Sequence, residues 1–123
     1  MDTSPIIEKF NLFWQYPVIT EKKFSLERQS DPNYLGFPWA TVIDKNINLQ
    51  IIQLLLQPLC QQAKENSVIY TCCQHIYFRR LIPLWKMLGV RLVFTPHKTS
   101  INDGVEGDMR SDDTIVFKAC PLY

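Results

Sequence analysis

Four short runs of apolar, largely β-branched residues alternate along the chain with segments of helical periodicity, and this alternation restricts the fold more than any other feature. The runs are typical of buried strands and span residues 39–43, 68–73, 90–95 and 114–120. Single predicted helices separate the first three runs, which favours right-handed crossovers between parallel strands. The sequence therefore predicts an α/β fold, with a small parallel sheet of about four strands and helices packed on it.

The first predicted helix carries apolar side chains on one face, at helical spacing. These are Ile52, Leu55, Leu56, Leu59 and Ala63. Pro58 is expected to kink this helix or to split off its last turns. The second helix is expected from about His75 to Leu88, with Pro83 inside it and Gly89 as its C-terminal cap. Together with the strands, these helices predict a Rossmann-like core, and the polar residues 98–113 are expected to form a loop.

Residues 1–38 differ in texture from the rest of the chain, because they are rich in aromatic residues and interrupted by prolines. Ile6 to Trp14 has the spacing of a short helix, which Pro17 would end. We otherwise expect an irregular N-terminal segment. The length of 123 residues suits one domain. Residues 1–123 are therefore predicted to form a single α/β domain, with residues 39–123 as its Rossmann-like core.

Charge and hydropathy argue against two kinds of partner. The formal net charge is only +1, and no basic cluster is visible, so no nucleic-acid binding is expected. The longest apolar stretch, residues 47–59, is interrupted by polar residues and is shorter than the roughly 20 residues of a membrane span. The N-terminus lacks the apolar run of a secretory signal. We therefore expect a cytoplasmic protein whose four cysteines are reduced thiols.

Polar and ionisable side chains collect where the predicted strands end. Ligands of open parallel sheets bind beyond these carboxyl ends. The residues at these positions are Asp44, Lys45, Gln74, His75, His97, Lys98 and Tyr123. We predict His75 and His97 as catalytic acid–base groups, because imidazole titrates near neutral pH. The other five are predicted to bind the ligand, with Gln74 orienting hydroxyl groups and the lysines meeting a phosphate or carboxylate.

A simpler interpretation gives these residues no function. Polar side chains belong at strand ends in any case, and His75 would then merely cap the helix that follows it. The fact that both histidines of the chain fall at such positions favours a binding edge over this alternative.

A metal site formed by the cysteines and histidines is not expected. Cys72 and Cys73 are adjacent in a predicted strand, so their side chains point to opposite faces of the sheet and cannot easily share one ion. Free cysteine is also commonly buried. Neither the dinucleotide fingerprint nor the P-loop pattern occurs in the sequence, so no cofactor is predicted.

Three short stretches of the chain carry a resemblance to a known group of proteins. They are Gly36 to Asp44, Tyr70 to His75 and Phe94 to His97. These stretches resemble a group of microbial and large-virus glycosyltransferase-like proteins, and the resemblance extends from residue 36 to the end of the chain.

The resemblance implies an amino-terminal Rossmann-like half of a transferase. Gln74, His75 and His97 would then face the cleft between two halves, where acceptor sugars bind. Because the sequence ends at Tyr123, the half that binds a nucleotide sugar is expected to be a second domain or another protein chain.

Two functions from different classes follow from these observations. The first is a glycosyltransferase-like domain that recognises a sugar or nucleotide-sugar ligand at the carboxyl edge of the sheet, with His75 or His97 as the base. The alternative is a non-catalytic α/β interaction module that docks a partner through its aromatic N-terminal segment. Folding of residues 1–38 over His75 and His97 would favour the first function, and an exposed apolar segment would favour the second.

Overall fold

A four-stranded sheet forms the centre of the computed structural model, which describes residues 1–14, 18–63, 68–96, 105–106 and 115–120. Its strands are β1 (Ile69–Cys72), β2 (Val90–Thr95), β3 (Val105–Glu106) and β4 (Ile115–Ala119). The strand order is β1-β2-β4-β3. β1, β2 and β4 are parallel, whereas β3 pairs with β4 in the antiparallel direction. The α/β class is thus confirmed, with three parallel strands rather than four.

Within the described ranges, five α-helices accompany the sheet. They are α1 (Ser4–Phe10), α2 (Ile19–Glu27), α3 (Trp39–Asp44), α4 (Leu49–Ala63) and α5 (Ile82–Leu88). The side chain of Asn48 begins α4 by accepting hydrogen bonds from the backbone N–H groups of Gln50 and Ile51. Pro58 lies inside α4 without ending it.

The run Trp39 to Ile43, predicted as the first strand, is the helix α3, so that prediction is wrong. All five of its residues are buried, and a run that is apolar on every side shows neither the period of a strand nor that of a helix. Pro38 precedes the helix, and its carbonyl accepts the first helical bond from the backbone N–H of Val42. The expected order of strand, helix, strand, helix and strand therefore lacks its first strand.

The second predicted helix is shorter than expected. A 3₁₀ helix, Phe78–Leu81, leads into α5, and Pro83 occupies the first turn of α5. A proline fits there because the N–H that it lacks would have no helical partner. Gly89 ends the helix in the left-handed conformation, with φ 84°, as predicted.

The N-terminal residues are not an irregular segment, because α1 and α2 lie within them. Leu12, Leu35 and Phe37 are fully buried in the same apolar cluster as the sheet residues Val93 and Phe117. Their packing joins the described residues of the N-terminal segment to the core, so this segment is not a separate extension.

The sheet is covered on both faces. On one face, Phe24 of α2 stacks on Phe94 of β2, with ring centroids 5.1 Å apart. On the other, Trp85 of α5 packs against Phe117 of β4 and against Trp39 of α3. The carboxyl ends of the parallel strands are left at one edge. Among the helices in the described ranges, none combines the length and the apolar character required to cross a membrane.

Candidate ligand cleft

A cleft of about 530 Å³ opens beyond the carboxyl end of β1, and we call it the edge cleft. Its wall is formed by the C-terminal end of α3, by the segment that follows β1, and by the residue before α2. The lining residues are Val18, Ile43, Asp44, Gln74, His75, Ile76, Tyr77 and Arg80. Three of the seven residues predicted from the sequence, Asp44, Gln74 and His75, therefore meet in one place.

Both ring nitrogens of His75 are engaged. Nδ1 accepts a hydrogen bond of 3.0 Å from the backbone N–H of Tyr77, and a backbone N–H can only donate. Nδ1 therefore carries no proton in the neutral imidazole, so that the proton is on Nε2. Nε2 lies 2.9 Å from Oδ1 of Asp44 and donates to it. The hydrogen-bond pattern thus fixes the tautomer of His75.

These contacts bear on whether His75 can act as a general base in the cleft. A general base needs a free lone pair within reach of the acceptor hydroxyl, and the lone pair of His75 is held by the Tyr77 backbone. The side chain of Asp44 is 57% exposed, whereas that of His75 is only 14% exposed. The carboxylate of Asp44 is therefore the accessible basic group, and His75 orients it.

The side chain of Gln74 is fixed by a hydrogen bond to a residue of α2. Its Oε1 accepts a hydrogen bond of 3.2 Å from the backbone N–H of Glu21 in α2. With the carbonyl oxygen used in this way, the amide NH₂ group of Gln74 remains as the donor at the cleft. The cleft thus combines a carboxylate acceptor, an amide donor and the guanidinium of Arg80.

Glu21 itself is a residue that the sequence analysis missed. Its side chain is fully buried, and Oε2 accepts hydrogen bonds of 3.2 Å from Nε1 of Trp14 and from the backbone N–H of Ala40 in α3. Burial raises the pKa of the carboxyl from 4.5 to about 8, although the surrounding N–H groups oppose this shift.

The sequence around Glu21 gave a weak signal of its burial. Glu21 precedes Lys22 and Lys23, and such a charged run is usually a solvated helix face. Phe24 follows Glu21 by three residues, however, and so lies on the same side of α2. A helix whose core face includes a carboxylate is the pattern that could have identified it.

Of the remaining predicted residues, Lys45 lies within the described ranges, and it does not reach the edge cleft. Nζ of Lys45 donates a hydrogen bond of 2.8 Å to the carbonyl oxygen of Asn11 at the end of α1, and Lys45 is not among the lining residues. Asp44 reaches the cleft from the end of a helix rather than from the end of a strand. The predictions for His97, Lys98 and Tyr123 lie outside the described residues.

Cys72, the last residue of β1, and Cys73, which follows it, do point apart. Cys72 packs with Phe24 and Tyr34 on one face of the sheet, whereas Cys73 belongs to the cluster on the other. All four cysteines are free thiols. Within the described ranges, no group of three or more histidine, cysteine, aspartate or glutamate side chains is placed to hold a metal ion.

A second cavity of about 420 Å³ lies between the start of α1 and α2, away from the carboxyl edge. Four of its lining residues already bond to one another in pairs. Ser25 and Tyr34 share a hydrogen bond of 2.9 Å between their hydroxyl groups, and the hydroxyl of Thr3 donates to the Gly36 carbonyl. The edge cleft is taken as the ligand site, because it lies beyond the carboxyl end of β1, where parallel sheets bind ligands, and brings a carboxylate, an amide and a guanidinium together there.

The chain was compared with protein-family models, with curated proteins and with solved structures, and none of the three comparisons gave a match.

Proposed function

We propose that this chain is a glycosyltransferase-like domain that binds a sugar or nucleotide sugar in the edge cleft, on a Rossmann-like half of a transferase. The convergence of Asp44, Gln74 and His75 carries this proposal. A vicinal diol presents both donors and acceptors within a few ångströms. The carboxylate of Asp44 accepts from its hydroxyl groups, and the NH₂ group of Gln74 donates to them.

Two further lining residues suit such a ligand. The ring of Tyr77 is 59% exposed and lies 5.6 Å from the imidazole of His75, so it offers a flat apolar surface to a sugar ring or a base. The exposed guanidinium of Arg80 matches the phosphate of a nucleotide sugar in charge and geometry.

The transfer step assigns the base to Asp44. The oxygen of an acceptor hydroxyl attacks the anomeric carbon of the donor sugar, the bond to the leaving phosphate breaks, and the hydroxyl proton passes to Asp44. His75 positions the carboxylate and stabilises its charge through the Nε2–H bond. In this proposal the catalytic role predicted for His75 becomes an orienting one, while His97 stays a predicted second base.

The burial of the N-terminal residues favours this proposal over the docking module. Phe24, Tyr34 and Phe37 are buried, and among the aromatic side chains of the first 38 residues in the described ranges, Phe13 is the one with about half its surface exposed. Val18 lines the edge cleft, and Glu21 bonds to Gln74. The aromatic segment that would dock a partner thus packs in the core and lines part of the edge cleft.

An NMR titration of the ¹⁵N-labelled chain with nucleotide sugars and free monosaccharides tests the proposal. We expect ligand-dependent shifts of the Gln74 side-chain amide and the Tyr77 backbone amide. The Asp44→Ala and Gln74→Ala variants should lose at least tenfold in affinity. The matched control is Lys45→Ala, whose ammonium points to Asn11 and whose loss should leave the affinity unchanged. The absence of any shift at millimolar concentrations would reject the proposal.

A further inference from the structure

The buried carboxyl of Glu21 stands at a junction of three parts of the fold. It belongs to α2, it binds the backbone N–H of Ala40 in the first turn of α3, and it binds the indole N–H of Trp14. The backbone N–H groups of Trp39 and Gln74 also face it. The carboxyl is therefore surrounded by N–H donors.

One oxygen of this carboxyl nevertheless makes no hydrogen bond with any residue that the structure describes. Oε2 receives both hydrogen bonds, and Oε1 is buried without a hydrogen bond to any described residue. A fully buried polar atom without a partner is costly. The side-chain hydrogen bonds of Glu21 to Trp14 and Ala40 are thus both made through Oε2.

Glu21 contacts both the side chain and the main chain of Gln74. The backbone N–H of Glu21 donates to the side-chain oxygen of Gln74, and the backbone N–H of Gln74 faces the carboxyl of Glu21. The position of Gln74 in the edge cleft is consequently set from both its main chain and its side chain by a single residue.

We propose that Glu21 is a positioning residue of the edge cleft: its backbone N–H holds the side-chain oxygen of Gln74, its buried carboxyl faces the backbone N–H of the same residue, and together they set the orientation in which Gln74 presents its amide to a ligand. The inference rests on the proposed function, because orientation of Gln74 matters only if the cleft binds a ligand. The carboxyl does not reach the cleft and so acts through Gln74.

The protonation state of Glu21 decides this orientation. Burial raises its pKa to about 8, so the carboxyl is neutral at pH 7, with its proton on the unpartnered Oε1. The titratable groups that face it are Tyr34 and the thiols of Cys72 and Cys73. Within the described ranges no cation is among the groups that shift its pKa, so the ionised form has only N–H dipoles to stabilise it.

Ionisation should therefore move Gln74. A negative charge on Oε1 attracts the nearby backbone N–H groups of Gln74 and Trp39 more strongly than the neutral acid does. The segment after β1 must shift to supply these bonds. Above about pH 8, the amide of Gln74 is expected to leave the orientation that it has at pH 7.

An NMR pH titration of the chain without any ligand tests this inference. The probes are the Glu21 side-chain carboxyl carbon and the Gln74 side-chain amide. We expect both to titrate with the same midpoint near pH 8. In Glu21→Gln, which mimics the neutral acid, the Gln74 amide should keep its low-pH position. Subtracting the Gln74 titration curve of Glu21→Gln from that of the unsubstituted chain removes the contributions of other titrating groups of the cleft.

A matched control is Glu27→Gln, which removes an exposed carboxyl from the same helix and should leave the Gln74 titration unchanged. Two different midpoints for Glu21 and Gln74 in the unsubstituted chain would overturn the inference, and this comparison remains available if the Glu21→Gln variant fails to fold. An unchanged Gln74 titration in folded Glu21→Gln would overturn it as well. Because no ligand is added, a failure of the sugar-binding proposal gives a different result from a failure here.

Discussion

The carboxylate of Asp44 and the imidazole of His75 form a hydrogen-bonded pair, with 2.9 Å between Oδ1 and Nε2. The pair joins the C-terminal end of α3 to the segment that follows β1. The second ring nitrogen of His75 accepts a hydrogen bond from the backbone N–H of Tyr77. A single imidazole therefore links the side chain of Asp44 to the backbone of Tyr77. The shape of the edge cleft thus depends on two residues that are 31 positions apart.

The first prediction concerns the strength of this pair. In a double-mutant cycle of Asp44→Ala and His75→Ala, we expect a coupling free energy of about 0.2–1 kcal/mol, because an exposed partner is screened by water. The free energy of unfolding from urea denaturation measures it. Glu27→Ala, distant from His75 in α2, should add to His75→Ala without coupling. Zero coupling between Asp44 and His75 would contradict the pairing.

The second prediction concerns the pH dependence of stability. The pKa of Glu21 is about 8 in the folded chain and near 4.5 when exposed. Between these values the folded state holds a proton that the unfolded state has lost, so stability falls as the pH rises. The full contribution is present below pH 4.5 and is lost by about pH 8, on the order of a few kcal/mol.

Urea denaturation at several pH values between 4.5 and 9 measures this slope. Glu21→Gln cannot ionise, so its stability should fall less steeply with pH than that of the unsubstituted chain. Glu27→Gln, which changes an exposed carboxyl of the same helix, should retain the original slope. Equal slopes for the unsubstituted chain and Glu21→Gln would show that Glu21 is ionised when folded.

The elements predicted best from the sequence are those that residues close in the chain determine, such as a glycine cap or a β-branched run. The strand at residues 90–95 matches β2, because a run of β-branched and apolar residues follows a glycine that ends a helix. The helix that ends at Gly89 was placed correctly at its C-terminus. Its start was not, because Pro83 lies in the first turn of α5, which begins at Ile82, rather than in the middle of a longer helix.

The parts that were missed depend on tertiary contacts. The first turn of the helix at residues 39–43 is contacted from another helix, where the Glu21 carboxyl accepts a hydrogen bond from the N–H of Ala40, and nothing within the run indicates this partner. Gln74 and His75, which the sequence places at the carboxyl edge, line the edge cleft, and their roles in ligand binding stay predictions. Asp44 reaches the same cleft although its predicted strand is a helix, so the correct placement followed from a wrong element.

The third prediction concerns a buried hydroxyl between β1 and α3. Oγ1 of Thr71 accepts a hydrogen bond of 2.8 Å from Nε1 of Trp39 and donates to the carbonyl of Leu35. Thr71→Val leaves both partners buried without a bond, and we expect a loss of about 2–4 kcal/mol in the free energy of unfolding. Thr71→Ser keeps the hydroxyl and should lose less. Equal stability of the two variants in urea would contradict these bonds.

The fourth prediction concerns the order in which the thiols react. Cys60, Cys72 and Cys73 are buried, whereas Cys120 is partly exposed. A hydrogen bond with the thiol of Cys72 lowers the pKa of Cys120, and the same contact together with burial raises the pKa of Cys72. Since the thiolate is the nucleophile, iodoacetamide should modify Cys120 first in the folded chain at pH 7, as peptide mass spectrometry would show.

Two substitutions at position 72 separate exposure from activation as the cause of this reactivity. Cys72→Ala removes the hydrogen-bond donor to Cys120, so alkylation of Cys120 should slow several-fold at neutral pH, because a smaller fraction of it is ionised. Cys72→Ser retains a donor at the same place and should keep the rate close to that of the unsubstituted chain. If Cys120 reacted equally fast in both variants, its exposure alone would explain the labelling, and the thiol pair would have no part in it.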